Sequence, residues 1–296
     1  MTPCFNEIAS DLRLLKNVRT LKMWLRIVVD RDRSNEDTFF RTGFATAFPN
    51  VTHLVLTCYC GTYESHTQPV PLIEMICLFP ALRSLHIEKI SGPVADPPAS
   101  AVPPRGLHSL NLGFDSPSTI LGWLQSFNHL PNVDSLILLP TIRSNQFSAV
   151  RRALQQIGGA LHHLEIAARI KWFYDVDLLA LFDLTLHPNL RTLLIRDTPD
   201  RLNLAELISL LTLLASPSLE RISLVADLSL AMDVNLDWTT LDGLLSPVRF
   251  PHLKDVTLMH EHSEHRIITN VDDTAAFLRT SLPSLAGSGV LGLNLG

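Results

Sequence analysis

The segment Pro188-Asn-Leu-Arg-Thr-Leu-Leu-Ile195 sets apolar side chains at Leu190, Leu193 and Ile195 just after a proline. Leu193 and Ile195 are separated by one variable residue, so they share one face of a short strand and Leu194 points to the other. The same phrase recurs upstream. It reads Asn17-Val-Arg-Thr-Leu-Lys-Met23, Pro49-Asn-Val-Thr-His-Leu-Val-Leu56, Pro80-Ala-Leu-Arg-Ser-Leu-His-Ile87 and Gly106-Leu-His-Ser-Leu-Asn-Leu112. It continues as Pro131-Asn-Val-Asp-Ser-Leu-Ile-Leu138, Ala160-Leu-His-His-Leu-Glu-Ile166, Pro217-Ser-Leu-Glu-Arg-Ile-Ser-Leu224 and Pro251-His-Leu-Lys-Asp-Val-Thr-Leu258. A tenth, degenerate copy stands at Val290-Leu-Gly-Leu293. The leading proline suits the start of a strand, where no ladder hydrogen bond is yet required.

The first anchors are Val18, Val51, Leu82, Leu107, Val133, Leu161, Leu190, Leu219 and Leu253, at intervals of 33, 31, 25, 26, 28, 29, 29 and 34 residues. A strand, a helix of about ten residues and two connections need roughly 28 residues. Helical three- and four-residue spacing appears where that arithmetic wants it: Leu204 to Ala215, Gln146 to Ile157, Asp175 to Leu184, Thr119 to Phe127, Leu72 to Leu78 and Asp272 to Thr280. Parallel strands joined by helical crossovers stack into one curved sheet. The expected fold is an α/β solenoid of nine to ten irregular repeats over residues 17–296, with a parallel sheet on the concave face and helices on the convex face. Residues 1–16 precede it as an N-terminal capping segment.

Residues 91–106 break the pattern. This stretch holds five prolines and two glycines, so it cannot be an ordinary helix and replaces the helix of the third repeat. It reads as a solvated, polyproline-like loop, and as the boundary between an irregular N-terminal third and a regular remainder. A proline-rich docking segment is the alternative.

Composition narrows the function classes. Apolar residues make up 46% and charged residues 18%, which demands a large core and excludes a disordered chain. A net charge of −5 argues against a general nucleic-acid binder, which needs a basic surface to displace phosphate counterions. Four cysteines are too few for a disulfide framework. The N-terminus has no apolar run, and the most hydrophobic stretch, Leu204 to Ala215, is about half a membrane span. The expected setting is intracellular, cytoplasmic or nuclear, with no membrane and no nucleic-acid partner.

The phrase Pro-Asn-Leu-x-x-Leu-x-Ile with a period near 28 resembles leucine-rich-repeat proteins with helical outer faces. In its proline-led, irregular form it is most similar to the fungal F-box leucine-rich-repeat proteins of mushroom-forming fungi. That resemblance implies substrate capture by the repeats, with an F-box docking on the Skp adaptor of a cullin ubiquitin ligase. Only about 16 residues precede the first repeat here, and Phe5 to Leu15 reads as one short helix, which is not a complete F-box. A free-standing scaffold or ligand-binding protein is the alternative.

Candidate chemistry is sparse. His260, His262 and His265, with Glu261 and Glu264, are the weak metal candidates, because neutral imidazole is a good borderline ligand. The order is not a His-Glu-x-x-His pair, and a solvated loop is the plainer reading. Cys58 and Cys60, near His53 and His66, lack a second cysteine pair, and cysteine near a strand end reads as a small buried hydrophobe. Gly158-Gly159 most simply ends a helix. No phosphate loop, dinucleotide fingerprint or nucleophile elbow is present. No cofactor and no enzyme activity are expected; a metal-dependent enzyme built on His260 to His265 is the remote alternative.

The repeat geometry points instead to a binding surface. Variable positions of successive strands stack in columns across the concave face. Ile137, Leu139, Leu194, Val225 and Met259 form an apolar patch there, rimmed by Arg191, Arg196, Glu220 and Lys254, as protein-binding sites usually look. Where regular repeats carry a laddering asparagine, this chain has Arg26, Tyr59, Ile90, Asp115, Thr141, Arg169, Thr198, Asp227 and Glu261. Strand exits are therefore expected to satisfy their backbone groups differently in each repeat.

Overall fold

Every copy of the phrase forms a strand, and from Leu54 to Leu258 its second and third anchors share a buried face. A computed structural model of the chain describes residues 17–27, 48–60, 69–91, 94–113, 116–139, 146–168, 178–197, 204–226, 237–260 and 270–295, with Leu228 and Ile268. The expected capping segment, residues 1–16, lies outside them. The chain divides into two units, Met1–Val133 and Asp134–Gly296. The division falls one repeat beyond the proline-rich stretch, not within it.

In the first unit β1 (Thr20–Ile27), β2 (His53–Cys60), β3 (Ser84–Ser91) and β4 (Ser109–Leu112) pair in parallel in chain order. In the second, β5 (Ser135–Leu138), β6 (His163–Ala168), β7 (Thr192–Asp197), β8 (Arg221–Ala226), β9 (Asp255–His260) and β10 (Leu291–Asn294) do the same. Registers align the second anchors, Leu136↔Leu164↔Leu193↔Ile222↔Val256, and all five are fully buried. Strands β5 and β9 alternate between half-buried and buried along their length, so one face of the sheet is covered and the other is open.

The start of each strand is built by backbone alone. The first anchor donates its N–H to the carbonyl three residues earlier: Leu82 to Phe79 at 3.0 Å, Val133 to Leu130 at 2.9 Å, Leu190 to His187 at 3.2 Å and Leu253 to Phe250 at 3.0 Å. Pro49, Pro80, Pro131, Pro188, Pro217 and Pro251 occupy the second position of such turns, where a pre-set φ near −65° is an advantage. The proline therefore shapes the turn before the strand; it is not itself the first strand residue. The next carbonyl then accepts two N–H groups from the following repeat. In the first unit Arg19 O accepts from Thr52 and His53, Thr52 O from Arg83 and Ser84, and Arg83 O from His108 and Ser109, at 2.8–3.1 Å. In the second the chain of acceptors runs Asp134, His162, Arg191 and Glu220. It ends on the amides of Lys254 and Asp255 at 2.8 and 3.2 Å.

Side chains add pins between repeats. His129 Nε2 donates to Leu107 O at 2.7 Å, His187 Nδ1 donates to Gly158 O at 2.8 Å, and Ser216 Oγ donates to Leu190 O at 2.7 Å. Burial pushes the His187 imidazole below its ordinary pKa, with the bond to Gly158 O and the Asp183 carboxylate partly opposing it. Of the expected asparagine-position residues, Ile90 has a described side chain, which is buried.

Helices fill the crossovers where the spacing asks for them. They are α1 (Leu72–Cys77), α2 (Ser116–Ser126), α3 (Phe147–Ile157), α4 (Leu178–Leu181), α5 (Leu204–Thr212), α6 (Trp238–Leu244), α7 (Val271–Ser281) and α8 (Pro283–Ser288). Six match the expected segments. Helix α4 is a single turn followed by a 3₁₀ turn at Leu184–Leu186, shorter than the spacing of Asp175 to Leu184 implied. Helices α6 and α8 were not expected. Gly158, at φ +51°, ends α3, as its glycine pair foretold. In the second unit consecutive helices pack on one another. The buried Asp242 carboxylate of α6 accepts the Ser284 and Leu285 amides, both at 3.0 Å, and so caps α8 from another repeat. Arg249 Nη2 reaches the Leu211, Thr212 and Leu214 carbonyls at the end of α5 at 2.8–3.2 Å, satisfying groups the helix leaves unpaired. The result is an α/β leucine-rich-repeat architecture.

The proline-rich stretch holds no helix, as expected, and among its described residues it is only partly solvated. Val94 bridges Val70 in parallel, and Ala101, Pro103 and Pro104 are buried. The buried indole of Trp123 in α2 donates to Ala101 O at 2.6 Å. The segment is a strap, held by that bond, by the Cys77 thiol donating to Val102 O at 3.4 Å, by the Ala95 N–H donating to Val70 O at 2.9 Å, and by packing. Trp123→Phe should strand the Ala101 carbonyl and cost about 1–3 kcal/mol of stability in urea unfolding. Limited proteolysis should then cut first within residues 94–104; an unchanged midpoint and cleavage pattern would contradict this role.

Candidate functional site: the open strand face

The open face of the second unit is a grid of alternate strand positions. Its first row is Ser135, His163, Thr192, Arg221 and Asp255, and its second is Ile137, Glu165, Leu194, Ser223 and Thr257. A third aligns Arg196, Val225 and Met259. Leu139 follows β5 directly.

The expected apolar patch is only partly open. Ile137, Leu139, Leu194 and Met259 are half-buried. Val225 is not a surface residue: it is 4% exposed, and Leu224 and Ala226 beside it are buried too. Both faces are thus covered where β8 ends. Leu228, itself buried, shows how, since its N–H donates to His260 Nδ1 at 3.1 Å and draws the exit of β8 against the end of β9.

That contact also places the metal candidate His260, a buried residue closing β9 with one ring nitrogen engaged by backbone. His262 and His265 lie outside the described residues. Among the described residues no group of three or more histidine, cysteine or carboxylate side chains could hold a metal. Cys58 is buried and forms no disulfide among the described residues, and His53 Nδ1 lies 2.9 Å from the Thr52 hydroxyl.

Three of the four expected rim residues are ordered into pairs. Arg196 Nε donates to Glu165 Oε1 at 2.7 Å across β7 and β6, and Lys254 Nζ to Glu220 Oε2 at 2.8 Å. The Lys254 ammonium holds the Glu220 carboxyl below its ordinary range, with Arg191 and Arg221 adding smaller pulls in the same direction. Asp255 accepts the Thr257 hydroxyl at 2.9 Å. Arg191 is exposed.

The first unit carries a cluster that the sequence columns contained but did not single out. Trp24 is 68% exposed, and the Lys22 ammonium sits 5.8 Å from its ring centroid. Lys22 Nζ donates to Glu88 at 2.6 Å and Thr57 Oγ1 to the same carboxylate at 2.7 Å. These bonds, Lys22 first, hold Glu88 below the usual carboxylate range. Glu88 can reach both because β3 has a bulge there: Leu56 pairs with Ile87 but Thr57 with Lys89. Strict two-residue alternation would put Glu88 opposite Thr57, so it is one residue out from this point. An aromatic residue in a solvent-facing column was the available signal.

No protein-family model matches the chain, and no curated protein matches it. Among solved structures it is similar to the leucine-rich-repeat-containing protein LegL7 from Legionella pneumophila. Identity is 16%, over 94% of this chain and 94% of that one, with a TM-score of 0.45. The repeat architecture stands on the strand registers of this chain. No helix among the described residues is long and apolar enough to cross a membrane.

His163 reports on the electrostatics of the face. Burial lowers its pKa and the neighbouring Glu165 carboxylate partly offsets this. Because the folded value lies below the ordinary 6.5, the neutral ring is favoured by folding. That contribution is present above pH 6.5 and is lost as pH falls through the folded midpoint. NMR titration of the His163 ring should give a midpoint below 6.5, and Glu165→Gln should lower it further. A midpoint at or above 6.5, or a rise in the variant, would contradict the arrangement.

Proposed function

We propose that this chain is a protein-binding module whose ligand lies across the open strand face of residues 134–296. The observation that carries the reading is the second row of the grid. Ile137 and Leu194 are half-buried apolar side chains on strands that flank Glu165, whose carboxylate is fixed by Arg196. An apolar floor beside a positioned ion pair and an exposed basic rim has the anatomy of a non-obligate protein interface. Backbone satisfaction inside the repeat leaves these side chains with no structural task on the covered face.

The fungal F-box resemblance would extend this to substrate capture for a cullin ubiquitin ligase. It rests on the repeat phrase alone, and copurification with a Skp adaptor is the observation that would carry it. A free-standing scaffold needs no such partner.

The strand-face reading is tested by Ile137→Asp combined with Leu194→Asp. Both positions are half-buried on the open side, so the fold should survive, checked by circular dichroism and thermal midpoint. Quantitative affinity capture with wild-type chain as bait should show each specific partner reduced at least tenfold on the variant. Equal recovery by the two folded baits would overturn the reading.

A further inference from the structure

Resting on that strand-face reading, the charge balance of the face indicates what kind of ligand it takes. Each carboxylate of the grid already has an engagement. Glu165 is held by Arg196, Glu220 by Lys254, and Asp255 accepts the Thr257 hydroxyl. Two cations do not. Arg191 and Arg221 are both exposed, and neither guanidinium makes a hydrogen bond or ion pair among the described residues.

These two arginines stand together. Thr192 pairs with Arg221 in the register of β7 and β8, so Arg191, just before β7, lies diagonally from Arg221, about 5–6 Å away at Cα. The acids beside them are Glu220, bonded by Lys254, and Asp255, which stands opposite Arg221 in register and accepts the Thr257 hydroxyl. The chain as a whole carries −5, so this is a local positive site on an acidic molecule. Guanidinium presents a planar fork of donors matched to carboxylate oxygens.

We infer that the face binds an acidic segment of a protein partner, with its carboxylates on Arg191 and Arg221 and its apolar side chains over Leu194 and Ile137. The apolar floor selects a peptide over an isolated anion. A bare phosphate would satisfy the arginines and leave Leu194 and Ile137 with nothing to bury.

The test is selection of a randomised peptide library displayed on phage against the whole chain, followed by fluorescence anisotropy with the enriched peptides. The inference expects enrichment of sequences combining at least two acidic residues with an apolar one, and affinity that falls as salt is raised. Arg191→Glu with Arg221→Glu should weaken those peptides at least tenfold, while Arg105→Glu, an exposed residue of the other unit, should not. Absence of acidic enrichment overturns the inference, as does undiminished binding by the folded charge-reversal variant. Full competition by millimolar inorganic phosphate also overturns it. If Ile137→Asp with Leu194→Asp abolishes peptide binding and charge reversal does not, the strand-face reading stands and the acidic partner falls. If neither variant changes it, both fall.

Discussion

One backbone carbonyl accepting two amides from the next repeat is the interaction on which the structure depends. A strand start buried between neighbouring repeats leaves its N–H groups with no water to bond, and each unmet donor would cost free energy comparable to a lost hydrogen bond. Here the acceptor is always the carbonyl just after the first anchor. Because the contact uses no side chain, its position tolerates any residue. Asp134, His162, Arg191 and Glu220 have unrelated side chains and the same hydrogen bonds. The same is true of Arg19, Thr52 and Arg83. Structure and surface are thereby uncoupled: anchors and carbonyls hold the repeats, and the variable side chains are free of that task.

That separation explains what could be read from the sequence. The anchors were legible because burial imposes one residue type at fixed spacing, and Leu136, Leu164, Leu193 and Ile222 align as the phrase requires. Helix α5 was legible from its leucine stripe. Helix α6 was not, since Trp238-Thr-Thr-Leu-Asp-Gly-Leu has too few apolar positions to show a period; it is held by the Asp237 side chain at its start and by packing. The Asp242 cap on α8 and the Arg249 clamp on α5 join residues 35 or more apart, and no local pattern encodes such pairs. The Glu88 bulge adds one residue without a glycine or proline to mark it.

The site was legible in outline and wrong in detail for the same reason. Alternation alone assigns Val225 to the open face, and it would be there if strands ended in solvent. It is buried instead, and just beyond it the Leu228 N–H bonds the His260 ring. The proline-rich stretch shows the converse. Its composition forbids a helix, but nothing in composition foretells that Trp123 would fasten it through Ala101 O. What remains on the open face of the second unit is a small apolar floor, two fixed ion pairs and two arginines with unspent donors. The first unit offers a different surface, centred on exposed Trp24 and its Lys22–Glu88 pair.

The most direct test of the account is native-state hydrogen exchange at the paired ladder amides of the second unit: His162 and His163, Arg191 and Thr192, Glu220 and Arg221, Lys254 and Asp255. If the two-donor carbonyls hold the repeats, these amides should be protected to nearly the same degree and exchange through opening of whole repeats. Ladder amides that exchange as fast as exposed turn residues such as Asn189 and His252, while anchor amides such as Leu193 stay protected, would contradict it.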